Sequence, residues 1–289
     1  MNLIQGMRLS RMRIALIAVV LAVAGLLISA SQVARAATAH ADRGGGPKPT
    51  IVLEHGAWAD GSSWDGVIGL LQAEGYTVDA PPDPLRGLAN DSATLADFLK
   101  TLTGPVIVVG HSYGGMVITN AAAGDPNVKA LVYIDAFIPA QGETAFGLTA
   151  AQPGSCVGSS SAFIAVPFPG APAGDFDTYL KTGPDLPYPG FAQCFANGLP
   201  ASRAAVLAAS QRPIAFSAGS DPSGVPAWKT IPSWSLIGTA DRVIPPAEQL
   251  FMSKRASAHI TEVNAGHLSL ISHPAAVTRV INAAARAAG

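Results

Sequence analysis

Six short apolar runs, rich in β-branched residues, punctuate the chain at Thr50 to Glu54, Tyr76 to Ala80, Val106 to Val109, Ala130 to Ile134, Ser233 to Ile237 and Ile260 to Val263. Runs of this length predict strands. Between most of them lie amphipathic stretches, each opened by a capping residue or an early proline, which predict helices over Trp64 to Glu74, Ser92 to Leu102, Met116 to Ala123, Pro246 to Ala256 and Pro274 to Ala287. Strands alternating with helices in this order predict an α/β fold with a mostly parallel sheet and helices on both faces. No repeat of fixed period is present.

The rhythm stops between about Gln141 and Ala227, where Pro, Gly and Ser accumulate with scattered aromatics: Phe163, Phe168, Phe176, Tyr179, Phe191 and Phe195. A compact domain rarely carries so long an irregular loop, so residues 141–227 read as an inserted cap with its own helices or a cover over a site. Within it, Pro200 to Gln211 is the best helix candidate.

The N-terminus follows a different pattern. Arg8, Arg11 and Arg13 precede an uncharged run of 17 residues from Ile14 to Ala30, and Ala34-Arg35-Ala36 follows. These are the three regions of a secretory signal peptide, which places residues 1–36 in a cleaved segment and the mature start near Ala37. An uncleaved anchor is the alternative, at the short edge of what spans a bilayer. Residues 37–49, with Arg43-Gly-Gly-Gly-Pro-Lys-Pro, lack apolar periodicity and read as a flexible leader to a single α/β domain over 50–289. Export makes oxidation the default for Cys156 and Cys194, which are expected to pair across 37 intervening residues. Such a bridge is worth roughly 3–4 kcal/mol by loop entropy. Lying wholly inside the insert, it is expected to staple the cap to itself and to leave catalytic elements untouched.

Composition narrows the functional classes. The 289 residues are 49% hydrophobic and only 13% charged, with a net charge of -1 that becomes -5 once the first 36 residues are removed. Nucleic-acid binding needs a basic footprint that is absent, so nucleic acid is excluded as a partner. After signal cleavage no stable membrane association is expected. The sequence carries no signature of a particular oligomeric state. No histidine pair has ligand spacing and two cysteines alone cannot build a zinc site, so no metal is expected.

The chemistry begins at Gly110-His111-Ser112-Tyr113-Gly114, which links the strand ending at Val109 to the following helix. A serine on such a turn projects its Oγ at the carboxyl edge of the sheet, and glycines are needed where side chains would collide. A hydroxyl needs a base, and the base needs a group to orient it. Asp241, in Gly238-Thr-Ala-Asp241, follows the strand at Ser233 to Ile237; His267, in Ala265-Gly-His267, follows the strand at Ile260 to Val263. Both stand where the order serine, acid, histidine requires them. Asp135 is a rival acid. Of the other histidines, His55 and His111 read as turn residues and His273 as a helix cap. Backbone N–H donors for a developing oxyanion are expected from Tyr113, next to the serine, and from Ala57 in His55-Gly-Ala-Trp58. Activity is expected to rise with pH through the range where histidine titrates.

On these residues the chain resembles the α/β-hydrolase superfamily, specifically a bacterial esterase-like family similar to plant methylesterases and hydroxynitrile lyases. The matching stretches are His55-Gly-Ala-Trp-Ala-Asp-Gly-Ser-Ser-Trp64, Gly110 to Gly115, Ala209-Ser-Gln-Arg-Pro213, Pro226-Ala-Trp-Lys-Thr-Ile-Pro232 and Asp241-Arg-Val-Ile-Pro-Pro246. The resemblance runs from about Thr50 to the C-terminus. It implies the α/β-hydrolase fold, a sheet lacking the first strands of the eight-stranded form, serine hydrolase chemistry and no cofactor. The expected activity is hydrolysis of a small to medium, mostly apolar neutral ester through Ser112, His267 and Asp241. Lyase or perhydrolase chemistry on the same triad is an alternative, although the lyases carry a lysine where this chain has Leu268. A non-catalytic binding protein on this fold is another. Aspartate-nucleophile chemistry is excluded by Ser112.

Overall fold

A computed structural model describes residues 48–182 and 190–288. The signal-peptide reading and nearly all of the leader therefore lie outside the described residues. In chain order the main elements are β1 (Thr50–Glu54), α1 (Asp65–Ala73), β2 (Val78–Asp79), α2 (Leu88–Leu99), β3 (Val106–His111), α3 (Gly114–Ala121) and β4 (Val128–Ile134). There follow α4 (Ala145–Ala151), β5 (Phe163–Val166), β6 (Asp177–Leu180), α5 (Phe191–Cys194), α6 (Ala201–Ala209), β7 (Ile214–Ala215) and α7 (Phe216–Ser220). The chain closes with β8 (Ser233–Gly238), α8 (Pro246–Arg255), β9 (His259–Val263), α9 (Ser269–Ser272) and α10 (Pro274–Ala287).

Six strands form one sheet in the order β2-β1-β3-β4-β8-β9, every neighbouring pair parallel. This is the parallel α/β architecture that the sequence pattern predicted, and it agrees with the fold that the family resemblance implied. Central strands read as continuous apolar runs because both their faces are covered. All six residues of β3 are buried, whereas every residue of β9, at the edge, is exposed or half-buried. The crossover from β1 to β2 runs outward in one direction and that from β3 to β4 in the other. Right-handed connections therefore put α1 on one face and α3 on the opposite one. The reversal falls between β1 and β3, whose carboxyl ends form the crevice where open α/β sheets place their sites.

Some boundaries move. The second strand shrinks from the expected Tyr76 to Ala80 to two residues at the sheet edge. The helix expected from Ser92 begins at Leu88, because Asp221 Oδ2 accepts the Leu88 N–H at 2.9 Å. A residue 133 positions away thus supplies the cap that local sequence lacks. The segment 141–227 holds the expected helix α6, and also a feature the sequence pattern did not reveal: β5, β6 and β7 make a second, antiparallel sheet of three strands. Trp58 Nε1–H donates to Thr178 O in β6 at 3.0 Å, and the Ala215 backbone N–H in β7 donates to Leu85 O at 2.9 Å. The small sheet is thereby joined to loops at the carboxyl edge of the large one. Among the described residues no helix is long and apolar enough to cross a membrane.

Ile107, fully enclosed in β3 between two helix layers, tests how strictly this core is packed. Ile107→Ala is expected to cost about 3 kcal/mol through lost transfer energy and the cavity left behind. Urea unfolding checks it: the midpoint should fall while the slope stays unchanged.

Candidate active site

Ser112 occupies a turn with φ 54°, in the left-handed region that most side chains avoid. Neighbouring backbone leaves no alternative. A Cβ on Gly110 would lie 2.6 Å from Gly114 O, and one on Gly114 would lie 2.7 Å from His55 O. Glycine at both positions lets β3, α3 and the loop after β1 approach closely enough to expose Oγ.

His267 Nε2 lies 2.9 Å from Ser112 Oγ, and His267 Nδ1 lies 2.8 Å from Asp241 Oδ2. Val243 N–H and Ile244 N–H donate to Asp241 Oδ1 at 2.7 and 3.1 Å, and Gln249 Nε2 donates to Oδ2 at 2.7 Å. With donors on both oxygens, Asp241 is left to accept from the ring as well. That fixes the imidazole proton on Nδ1 and turns a bare Nε2 lone pair toward the serine. An unprotonated ring nitrogen at that distance can take a hydroxyl proton as the oxygen attacks a carbon.

Ser112, His267 and Asp241 are all buried. Burial pushes the His267 imidazole down to about 3 and raises Asp241, whose N–H donors oppose the rise. Burial thus favours the neutral ring and moves the expected rise of activity below the range where free histidine titrates. The base loses its lone pair to a proton only at much lower pH.

Asp135, the rival acid, is placed differently. Its Oδ1 accepts from Gly238 N at 2.7 Å and its Oδ2 from Ser269 N at 3.1 Å. It clamps the loops that carry Asp241 and His267 and makes no bond to the imidazole. His111, read as a turn residue, is buried beneath the site and its Nε2–H donates to His267 O at 2.9 Å. His273 stands at the start of α10 without a side-chain cap bond; its Nδ1 pairs instead with Ser272 Oγ at 2.8 Å.

Ala57 and Tyr113 border the cavity that opens on Ser112. Among the described residues neither backbone N–H donates to another protein group. Two free donors beside the hydroxyl can receive a negatively charged oxygen. The cavity, about 60 Å³, is walled mainly by Trp58, Phe137, Phe146, Phe163 and Phe216. Trp58 stacks on Phe163 with ring centres 5.6 Å apart. These aromatics come from the loop after β1, the chain after β4, and the segment 141–227. Sequence reasoning noted Trp58 and Phe163 without assigning them; only the fold brings the set together. No group of three or more His, Cys, Asp or Glu among the described residues is placed to hold a metal ion.

Cys156 and Cys194 are disulfide-bonded, with Cα atoms 5.8 Å apart. The bridge does more than staple the insert to itself. Cys156 N–H donates to Arg242 O at 2.8 Å, Ser155 Oγ to Val243 O at 2.7 Å, and Arg242 Nη1 to Gln193 O at 3.2 Å. Asn197 Nδ2 adds a bond to Ala240 O at 2.8 Å. Both bridged segments thus grip the turn that carries Asp241, which corrects the expectation that the disulfide leaves the triad elements untouched.

A model of the alpha/beta hydrolase family matches residues 51–280. A carbendazim-hydrolysing esterase from Nocardioides is 36% identical over a segment covering 34% of this chain and 46% of its own. A pyrethroid hydrolase from Sphingobium wenxiniae is 36% identical over 32% of this chain and 38% of its own. The matches therefore span less than half the length of these relatives. The crystal structure of a pyrethroid hydrolase from Sphingobium faniae superposes with a TM-score of 0.61 at 23% identity, covering 83% of this chain and 98% of that one, a likeness of fold.

Two outcomes follow from this geometry. The acid limb of kcat/KM should lie below about pH 5, with no rise through the usual histidine range, as a pH–rate profile would read. Reducing the disulfide should slow fluorophosphonate labelling of Ser112 as well as lower the melting temperature. Labelling that is unaffected in a protein with both thiols free would place the Asp241 turn outside the reach of the bridge.

Proposed function

The chain belongs to the α/β-hydrolase family, and on that premise we propose that it is an exported carboxylic-ester hydrolase working through Ser112, His267 and Asp241. The observation that carries the reading is the unbroken line from Ser112 Oγ through His267 to Asp241, with contacts of 2.9 and 2.8 Å.

In the proposed cycle Ser112 Oγ attacks the ester carbonyl carbon while its proton passes to His267 Nε2. The carbonyl oxygen, now negative, lies against the N–H groups of Ala57 and Tyr113, each worth about 3–4 kcal/mol to the transition state. The carbon–oxygen bond to the alcohol breaks, and the leaving alkoxide takes the proton from Nε2. Water, deprotonated by the same nitrogen, attacks the acyl-enzyme and restores the serine. Asp241 holds the ring in the required tautomer and stabilises the imidazolium as it forms.

The aromatic walls support a neutral, apolar ester as substrate, since they offer little to compensate a buried charge. The names of the two relatives support ester-type hydrolysis of small organic molecules. Export is supported by the arginines at positions 8, 11 and 13, the apolar run after them, and the disulfide between Cys156 and Cys194.

Ser112→Ala is expected to lower ester turnover by about a thousandfold or more with an unchanged circular dichroism spectrum. Asp241→Asn should show a smaller but still large loss through the wrong tautomer. Turnover retained by folded Ser112→Ala would overturn the nucleophile, and Asp135→Asn proving the more damaging of the two acid variants would move the acid to Asp135.

A further inference from the structure

Behind the two free N–H donors lies a second polar cluster that the proposed cycle does not use. Glu54 ends β1, Asp83 stands in the loop after β2, and Asp91 lies in the first turn of α2; none exposes more than 2% of its surface. All three border a cavity of about 170 Å³ walled otherwise by prolines, Thr94, Leu95 and Phe98. Glu54 and Asp83 line the same cavity, and Glu54 Oε1 and Asp83 Oδ2 have no protein N–H or O–H to accept from. Two buried carboxylates on one cavity, with no donor for these oxygens, are accommodated when one proton is held between them.

Each member of the cluster also leads to one arm of the site. Asp91 Oδ2 accepts from Tyr113 O–H at 2.8 Å. The Asp83 backbone N–H donates to His55 Nε2 at 3.1 Å, and His55 Nδ1–H donates to Gly56 O at 3.0 Å, so the ring ties the cluster to the turn carrying Ala57. Asp83 Oδ1 and Asp91 Oδ1 take the N–H groups of Leu85 and Arg86 at 2.8 and 2.9 Å, which sets the spacing between the two acids.

We propose that Glu54, Asp83 and Asp91 form a single proton-sharing buttress that positions both oxyanion donors, the N–H groups of Ala57 and Tyr113. The inference rests on the reading of Ser112 as the nucleophile.

The charged groups around the cluster leave it to its own proton. Arg86 turns its guanidinium to Asp177. Arg212 Nη2 donates to the backbone oxygen of Asp83 at 3.0 Å, and its Nη1 approaches His55 Nε2 at 3.5 Å. Asp60 faces His55 and Asp221 faces Tyr113. Burial pushes His55 down to about 4, so it stays neutral. Burial first, and then the charge of the neighbouring acid, hold Glu54 well above the carboxylate range and push Asp83 up to about 7. The proton is therefore present at low and neutral pH and is lost as pH rises. Its loss sets like charges side by side and spreads the acids that hold Tyr113 and the His55 ring. Donors that act on the transition state should then cost kcat and spare KM.

The test is kcat and KM against pH for the wild type and Glu54→Gln, with an alkyl ester in a pH-stat and samples returned to neutral pH to confirm recovery. The glutamine amide donates to Asp83 at any pH. Wild-type kcat should fall about tenfold to a hundredfold as pH rises above neutral while KM stays within about twofold, and Glu54→Gln should stay flat. A parallel decline in Glu54→Gln, or a flat wild type, overturns the buttress. If Glu54→Gln does not fold, Tyr113→Phe cuts the tie to Asp91 and should lower kcat about tenfold at constant KM; an unchanged kcat overturns it equally. Active Ser112→Ala would sink the parent reading instead. Inactive Ser112→Ala beside a Glu54→Gln that tracks the wild type sinks the buttress alone.

Discussion

Where β3 gives way to α3, three stretches of backbone come together more tightly than any side chain allows. Gly110 faces the carbonyl of Gly114, Gly114 faces the carbonyls of Glu54 and His55, and Gly115 faces the carbonyl of Phe137. This close approach sets the rest of the site. It drives Ser112 into its left-handed conformation, brings the loop after β1 beside the hydroxyl, and places the chain after β4 against the same turn. Backbone contacts cannot relax by a change of rotamer, so the position of Oγ is fixed by main-chain sterics before any hydrogen bond is counted.

Around that turn the protein buries an unusual amount of polarity. His111, His267, Asp135 and Asp241 are all buried, at the point where four strands of the sheet end. Partners are built in for the acids, which take backbone N–H groups, for His267, which takes a carboxylate, and for one nitrogen of His111, which takes a carbonyl. Burial of a polar group costs a few kcal/mol only when it is left unpaired. The same burial keeps the imidazole neutral.

Much of the layout was legible from the chain. Thr50–Glu54 and Pro274–Ala287 carry their boundaries in plain apolar runs and an initiating proline, and Ser112, Asp241 and His267 each follow a strand that the pattern marks. What escaped depends on residues far apart in sequence. The start of α2 is set by Asp221, and the bond between Tyr113 and Asp91 crosses 22 positions. The small antiparallel sheet escaped for a different reason. Its strands β5 to β7 are short, β5 is mostly exposed, and the alternation that would mark a half-buried strand is missing. The grip of the disulfide on the Asp241 turn was invisible because each of its bonds ends on a main-chain oxygen far away in sequence, which carries no residue signature.

The bond from Trp58 to Thr178 joins the roof over the cavity to the turn that presents Ala57. Trp58 is itself held at φ 57°, so it has little freedom to follow one side without the other. Substrate range and turnover are therefore coupled variables in this chain. A substitution that lifts the roof to admit a bulkier ester also pulls on an oxyanion donor. Selection for new substrates then proceeds by compensated pairs, one change in the roof and one that returns the turn to its place.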